Sequence, residues 1–164
     1  MDTTVLERPV GREMENTASR DEENVFVTLT VAEQLCGVPV LGVRDILGAQ
    51  TITRIPLSSA EVAGSLNLRG RIVTAIDLRR RLRLPPAPAG TPRMSVVVEQ
   101  GGELYAFLVD QVSEVLSLPA SQFECNPPTL PPAWAAHSAG IYRLQGRLMV
   151  VLDVARLLAL AVDG

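Results

Sequence analysis

The sequence predicts an all-β protein with short helices, arranged as two small antiparallel barrels and closed by a C-terminal helix. Three observations lead there. From Val25 onward the chain is a series of short β-branched or apolar runs separated by Gly, Pro and polar breaks, which is strand-and-turn texture rather than helical periodicity. A sixteen-residue sentence occurs twice, NLRGRIVTAIDLRRRL at 67–82 and RLQGRLMVVLDVARLL at 143–158, at a constant offset of 76 (143 − 67). A second pair, VRDIL at 43–47 and VSEVL at 112–116, precedes it in the same order, each leading to a run that ends in proline, Pro56 and Pro119. Two copies are too few for a solenoid, which needs three or more stacked units. They describe two related subdomains, roughly 25–84 and 94–160.

The elements follow in order. Residues 1–24 hold seven acidic residues and three arginines with no sustained apolar period, so a charged, disordered tail is expected whose removal leaves stability unchanged. VFVTLTV (25–31) and GVPVLGVRDIL (37–47) read as strand, turn, strand. QTITRIP (50–56) alternates Thr and Ile, the pattern of a half-buried strand closed by Pro56. SSAEVAG (58–64) opens with cap-type serines and predicts one helical turn. RIVTAI (71–76) is a strand, and the LRRRL that follows Asp77 has helical spacing. PPAPAGTP (85–92) is a stiff connector. MSVVVEQ, GGELYAFLVD and QVSEVLSLP (94–119) resume the strands, with Gly101-Gly102 as a tight hairpin turn. NPPTLPP (126–132) leads through a turn around Trp134 to the second copy, and LDVARLLALAV (152–162) is long enough for an amphipathic helix.

Composition excludes several function classes. Beyond residue 24 the chain carries eleven acidic residues against twelve arginines, near-neutrality that argues against nucleic-acid binding driven by counterion release. No apolar run approaches the roughly 20 residues of a membrane-spanning helix, and the polar N-terminus shows no secretory signal, which points to the cytoplasm without direct membrane insertion. Cys36 and Cys125 lack metal-site spacing and read as buried free thiols, and His137 is the single histidine. No metal, cofactor or catalytic constellation is expected.

Each part of the repeated sentence has a physical task. Gly70 and Gly146 suit hairpin turns with positive φ. The apolar runs after them, IVTAI and LMVVL, suit strands buried on both faces. Asp77 and Asp153 stand where strand becomes helix, and a carboxylate there caps the free N–H groups of the first turn. Two matching aspartates raise the alternative of an acid–base dyad. Their neighbours are aliphatic, however, and lack the Gly, Ser or Thr that exposes such carboxylates, so capping is favoured. The run RRRLR (79–83) reads as a solvated helix face, not as a phosphate or RNA patch, since no aromatic platform accompanies it.

Taken together, residues 25–160 resemble the CheW family of bacterial chemotaxis coupling proteins. The most specific piece is the spaced set Gly64, Asn67, Leu68, Arg69, Gly70, Asp77, Leu78 and Arg79; FVTLTV, VRDIL, TRIP (53–56), LVDQVSEVL (108–116) and GIYRLQGRLMVVLDVARLL (140–158) support it in order. Thr74, Ala106 and Cys36 depart from the Pro, Gly and aromatic residue common in relatives. The resemblance implies two five-stranded SH3-like barrels sharing a hydrophobic core, no enzyme activity, no cofactor, and a scaffold role. It implies two partners: the regulatory domain of a CheA-type histidine kinase and the cytoplasmic tip of a methyl-accepting chemotaxis receptor, the protein being recruited to membrane receptor arrays. The implied receptor-binding set is Val43, Asp45, Gly64, Arg69, Gly70, Val112 and Gly140. The implied kinase-binding set is Thr51, Thr53 and Ile55. An adaptor of pilus motility or a developmental pathway is the alternative within the family, and a small-barrel nucleic-acid module is the distant one.

Overall fold

The computed structural model describes residues 22–56 and 58–159. Its strands are β1 (Glu23–Val31), β2 (Gln34–Pro39), β3 (Val43–Leu47), β4 (Val62–Leu68), β5 (Arg71–Asp77), β6 (Met94–Gln100), β7 (Glu103–Val109), β8 (Gln111–Pro119), β9 (Ser138–Leu144) and β10 (Arg147–Leu152). Short helices α1 (Leu78–Arg81), α2 (Pro132–Ala135) and α3 (Val154–Leu158) punctuate them. The strands form two five-stranded sheets, ordered β9-β10-β2-β1-β8 and β3-β6-β7-β5-β4. The all-β class with short helices is as the sequence predicts.

Strand pairing runs across the Pro-rich connector. Under the repeat, β4, β5 and β3 correspond to β9, β10 and β8, so the two sheets have the same order. Yet each sheet draws on both halves of the chain. The hairpin β1–β2 joins the second copy through a parallel pair, Cys36 with Val150 and Gly37 with Val151. The hairpin β6–β7 joins the first through Thr74–Tyr105 to Asp77–Leu108. Each half has thus given its opening hairpin to the other. The buried cluster between the sheets shows the result: Leu29, Val38, Ile76, Phe107, Val150 and Leu157 pack together from both halves.

Repeated residues perform repeated tasks. The Asp77 carboxylate accepts from the backbone N–H groups of Arg79 and Arg80, and that of Asp153 from Arg156; both are caps. The Asp77 and Asp153 backbone N–H groups donate to the carbonyls of Glu61 and His137, which also stand 76 apart. α1 and α3 meet where Arg81 donates to the carbonyls of Leu157 and Arg156 at 2.9 and 3.0 Å. Arg81 and Leu157 are equivalent positions, so the pseudo-twofold axis runs between these helices.

The arginine run is a solvated face only at Arg80 and Arg83; Arg79 and Arg81 are drawn into the fold. Arg79 makes a bidentate pair with Asp110, at 3.0 and 2.7 Å, and also donates to the Pro85 carbonyl. Asp110 accepts a third bond, from the Ala32 N–H at the tip of the β1–β2 hairpin. One carboxylate therefore ties the exchanged hairpin to α1 of the other sheet. The Arg79 hydrogen bonds, above all, hold the Asp110 carboxyl below the usual carboxylate range, against the opposing effect of its burial.

Several expected elements differ. Residues 50–56 form no strand; Thr53 alone bridges Ser65 beside the edge strand β4. Ser58 uses its hydroxyl to close a turn on the Ile55 carbonyl instead of capping a helix. α3 has five residues, and residues 160–162 of the expected longer helix lie outside the described residues. Cys36 is buried, and burial pushes its thiol pKa up, whereas Cys125 is exposed. Most of the expected tail, 1–21, is likewise outside the described residues, but Glu23 and Asn24 belong to β1 and pair with Pro119 and Leu118.

Three outcomes follow from this frame. Deleting 1–24 lowers the melting temperature relative to deleting 1–21, by the equivalent of about 1–2 kcal/mol, because Asn24 hydrogen-bonds the buried Tyr142 hydroxyl; equal melting would remove the first β1 residues from the stable fold. Gly64→Ala destabilises by more than about 1 kcal/mol, since a Cβ would stand 2.2 Å from the Thr53 carbonyl oxygen and the backbone φ is +149°. Asp110→Asn costs about 1–3 kcal/mol at neutral pH. Its folded pKa is lowered, so the stabilisation is present above the unfolded value and is lost as pH falls below about 4. Urea titrations across that interval show a shallower acid loss in Asp110→Asn than in the parent; equal slopes would refute the assignment.

Candidate partner-binding site

The β4–β5 hairpin and the β3 edge make a charged surface. The hairpin turn places Arg69 and Gly70 at φ +51° and +86°, a conformation that normally favours Gly or Asn. The Asn67 side chain holds it by accepting the Gly70 N–H at 3.0 Å. The second copy has Arg143 in place of Asn67, which cannot accept that bond. There Gly146 has positive φ and Gln145 does not, so the two copies turn differently.

The left-handed turn aims Arg69 across at β3. Its Nη1 stands 3.0 Å from Asp45 Oδ2, an ion pair without hydrogen-bond alignment. The other Asp45 oxygen accepts from the Ile46 N–H. Arg44 pairs with Glu99 on β6 at 3.0 Å. Arg44, Asp45, Arg69, Arg71 and Glu99 line a hollow of about 170 Å³. Next to Asp45 and Arg71 in sequence, Ile46 and Ile72 are exposed, the latter by 70%. Arg69 itself is 78% exposed. Charged pairs around exposed aliphatic side chains fit a protein partner, with polar groups fixing register around an apolar contact.

Of the sequence-predicted receptor set, the structure brings together Asp45, Arg69 and Gly70. Val43 and Val112 sit half-buried against the shared core from opposite sheets. Gly64 and Gly140 are buried and serve the fold. Each is a bulge residue of an edge strand, with the Thr53 backbone crossing over Gly64 and the Phe123–Glu124 segment over Gly140. They too repeat at the offset of 76, just outside the sixteen-residue sentence, a signal the repeat itself contains. Of the kinase set, Thr51 and Ile55 are exposed, and Thr53 is engaged with Ser65. Arg44, Glu99 and Asp110 were not singled out by sequence, although Arg44 and Asp110 lie inside VRDIL and LVDQVSEVL.

A second, apolar hollow of about 440 Å³ opens on the other sheet, lined by Val25, Phe26, Val40, Leu41, Phe123 and Val151. Leu41 is 91% exposed there. Among the described residues no cluster of His, Cys, Asp and Glu is arranged to hold a metal ion, and no helix is long and apolar enough to cross a membrane.

Comparisons with known proteins agree. A family model described as CheW-like domain matches residues 25–162. "Chemotaxis protein CheW" of Klebsiella aerogenes is 30% identical over 134 residues, covering 82% of this chain and 81% of the relative. The protein of the same name from Treponema pallidum is 26% identical over 144 residues, 85% of each. The crystal structure of the scaffolding protein TtCheW from Thermoanaerobacter tengcongensis superposes with a TM-score of 0.70 at 27% identity, covering 79% of this chain and 88% of that one. With its two like-ordered sheets and shared core, the chain belongs to the CheW-like domain family of non-catalytic chemotaxis scaffolds.

Proposed function

We propose that this protein couples methyl-accepting receptors to a CheA-type histidine kinase, working in the cytoplasm at membrane receptor arrays. The observation that carries the reading is the CheW-like match over 25–162, supported by the charged surface at the first repeat's hairpin. In this reading Asp45, Arg69 and Gly70 meet the receptor tip, with Val43 and Val112 shaping the ground beneath. The irregular segment carrying Thr51, Thr53 and Ile55 meets the kinase. Two faces on one rigid body let a scaffold hold both partners at once, and many modest contacts gain strength by multivalency. Nucleic acid is not a partner in this reading.

The direct test is co-sedimentation of the protein with a CheA-type kinase and receptor fragments from its own genome. Retention of both partners supports the reading, and retention of neither overturns it. The sharper test is Arg69→Gln. The ion pair to Asp45 is exposed, so its loss changes stability by no more than about 1 kcal/mol. Receptor binding falls by about tenfold or more, as expected for losing a charge-assisted contact of about 1.5–3 kcal/mol. Melting curves report the first effect and receptor pull-down the second. Unchanged receptor binding in a folded variant would remove Arg69 from the site.

A further inference from the structure

A polar cavity of about 540 Å³ lies beside the first repeat, where residues 54–56 and 58–60 meet Val62 and Ala63 of β4, Asp77 of β5 and Arg80 of α1. Arg54 and Arg80 line it with the hydroxyl residues Ser58 and Ser59, and Asp77 is its single acidic lining residue. That aspartate is already occupied. Its Oδ1 accepts Arg93 Nη2 at 2.7 Å and caps α1 at the Arg79 and Arg80 N–H groups. Arg80 reaches only to 3.8 Å from Asp77 Oδ2 and is 55% exposed. Arg54 has no protein acceptor among the described residues. Two guanidinium-bearing residues therefore line the cavity with donors to spare.

The second copy shows the same place put to structural use. Thr53 and Glu124 hold equivalent bridges, to Ser65 and Ile141, so Arg54 corresponds to Cys125 and Ile55 to Asn126. Asn126 exchanges hydrogen bonds with Ser138 there. Arg156, the counterpart of Arg80, donates to the Ser138 carbonyl at 3.3 Å. Arg80 makes no such bond to the equivalent Val62. The first copy replaces a thiol by a cation, omits the internal bonds and keeps the space open.

We propose that this cavity binds a small phosphate-bearing ligand, the phosphate seated between Arg54 and Arg80. Planar guanidinium groups suit phosphate oxygens in pairs, and the volume lies in the range of small-molecule pockets, about 300–1,000 Å³. No aromatic residue lines it, so a nucleotide base has no stacking platform. The ligand class is a phosphomonoester without an aromatic ring, or the free anion.

The test is isothermal titration of the full chain, at constant ionic strength, with inorganic phosphate and with glycerol 3-phosphate. Saturable binding in the millimolar range or tighter is expected, weakened about tenfold or more in Arg54→Gln and in Arg80→Gln and unchanged in Arg147→Gln, an exposed arginine of β10. Arg54→Gln is the decisive variant because it breaks no bond within the fold. Tighter binding of glycerol 3-phosphate marks an organic phosphomonoester, and equal affinity marks the free anion; both uphold phosphate recognition. No saturable binding at about 10 mM, well above a millimolar dissociation constant, overturns the proposal. So does binding that both cavity substitutions leave unchanged.

Discussion

The exchange of opening hairpins between the two halves governs this structure. A parallel strand pair cannot be made by a tight turn; it needs a crossover or a strand from elsewhere in the chain. Here β2 and β7 supply it, each lying beside β10 or β5 of the other copy and becoming the central strand of that sheet. Neither sheet is complete without the opposite half, and the hydrophobic cluster they enclose has no boundary at the connector. The insertion also fixes local chemistry. Gly37 lies on the parallel pair with Met149 and Phe26 packed so near that a Cβ would approach Met149 Cε to 2.8 Å. Asp110 then fastens the hairpin tip, because the N–H of Ala32 and the guanidinium of Arg79 converge on one carboxylate.

The repeat made much of this legible before any coordinates. Strands β5 and β10 could be read from IVTAI and LMVVL, although burial on both faces is realised only toward their C-terminal ends: Ile72 is exposed and Thr74 half-buried. The caps could be read because Asp stands at strand ends before helical spacing. The sheet exchange could not be read. A constant offset reports that two segments share a structure, and it is silent about which hairpin completes which sheet. Short-range signals misled where a tertiary contact won. The alternation in QTITRIP reads as strand, yet the segment pairs only at Thr53, where it crosses the glycine bulge of β4. Serines that suit a helix cap closed a turn instead.

Where the copies differ, the fold's demands separate from other demands. Leu68, Gly70, Arg71 and Asp77 recur, and the tasks of two of them are shared: Gly70 and Gly146 both take positive φ, and Asp77 and Asp153 both cap a helix. Asn67 and Arg69 do not recur, and they change the turn itself: an acceptor at Asn67 selects the left-handed path that carries Arg69 over to Asp45. A hairpin serving stability alone has the simpler solution of Gln145-Gly146. The arginine at position 54 stands opposite a cysteine in the same way. The fold accepts more than one residue in such places, and a single sequence holding its own internal comparison exposes it.

A scaffold with pseudo-equivalent sheets faces a problem of discrimination. Its edge strands β3 and β8 present related surfaces, with Ile46 and Val115 exposed at matching positions, 39% and 58%. Apolar contact alone separates such faces poorly, since it is non-directional. Charge does so at little energetic cost, because a like-charge mismatch penalises the wrong partner even where the right pair gains little. β3 carries Arg44 and Asp45, each matched by a charge from a neighbouring element, Glu99 and Arg69. β8 carries Ser113 and Glu114 at those positions, a neutral residue and a carboxylate for which no ion pair is found among the described residues. The two edges thus share a backbone and an apolar residue but offer different electrostatic patterns.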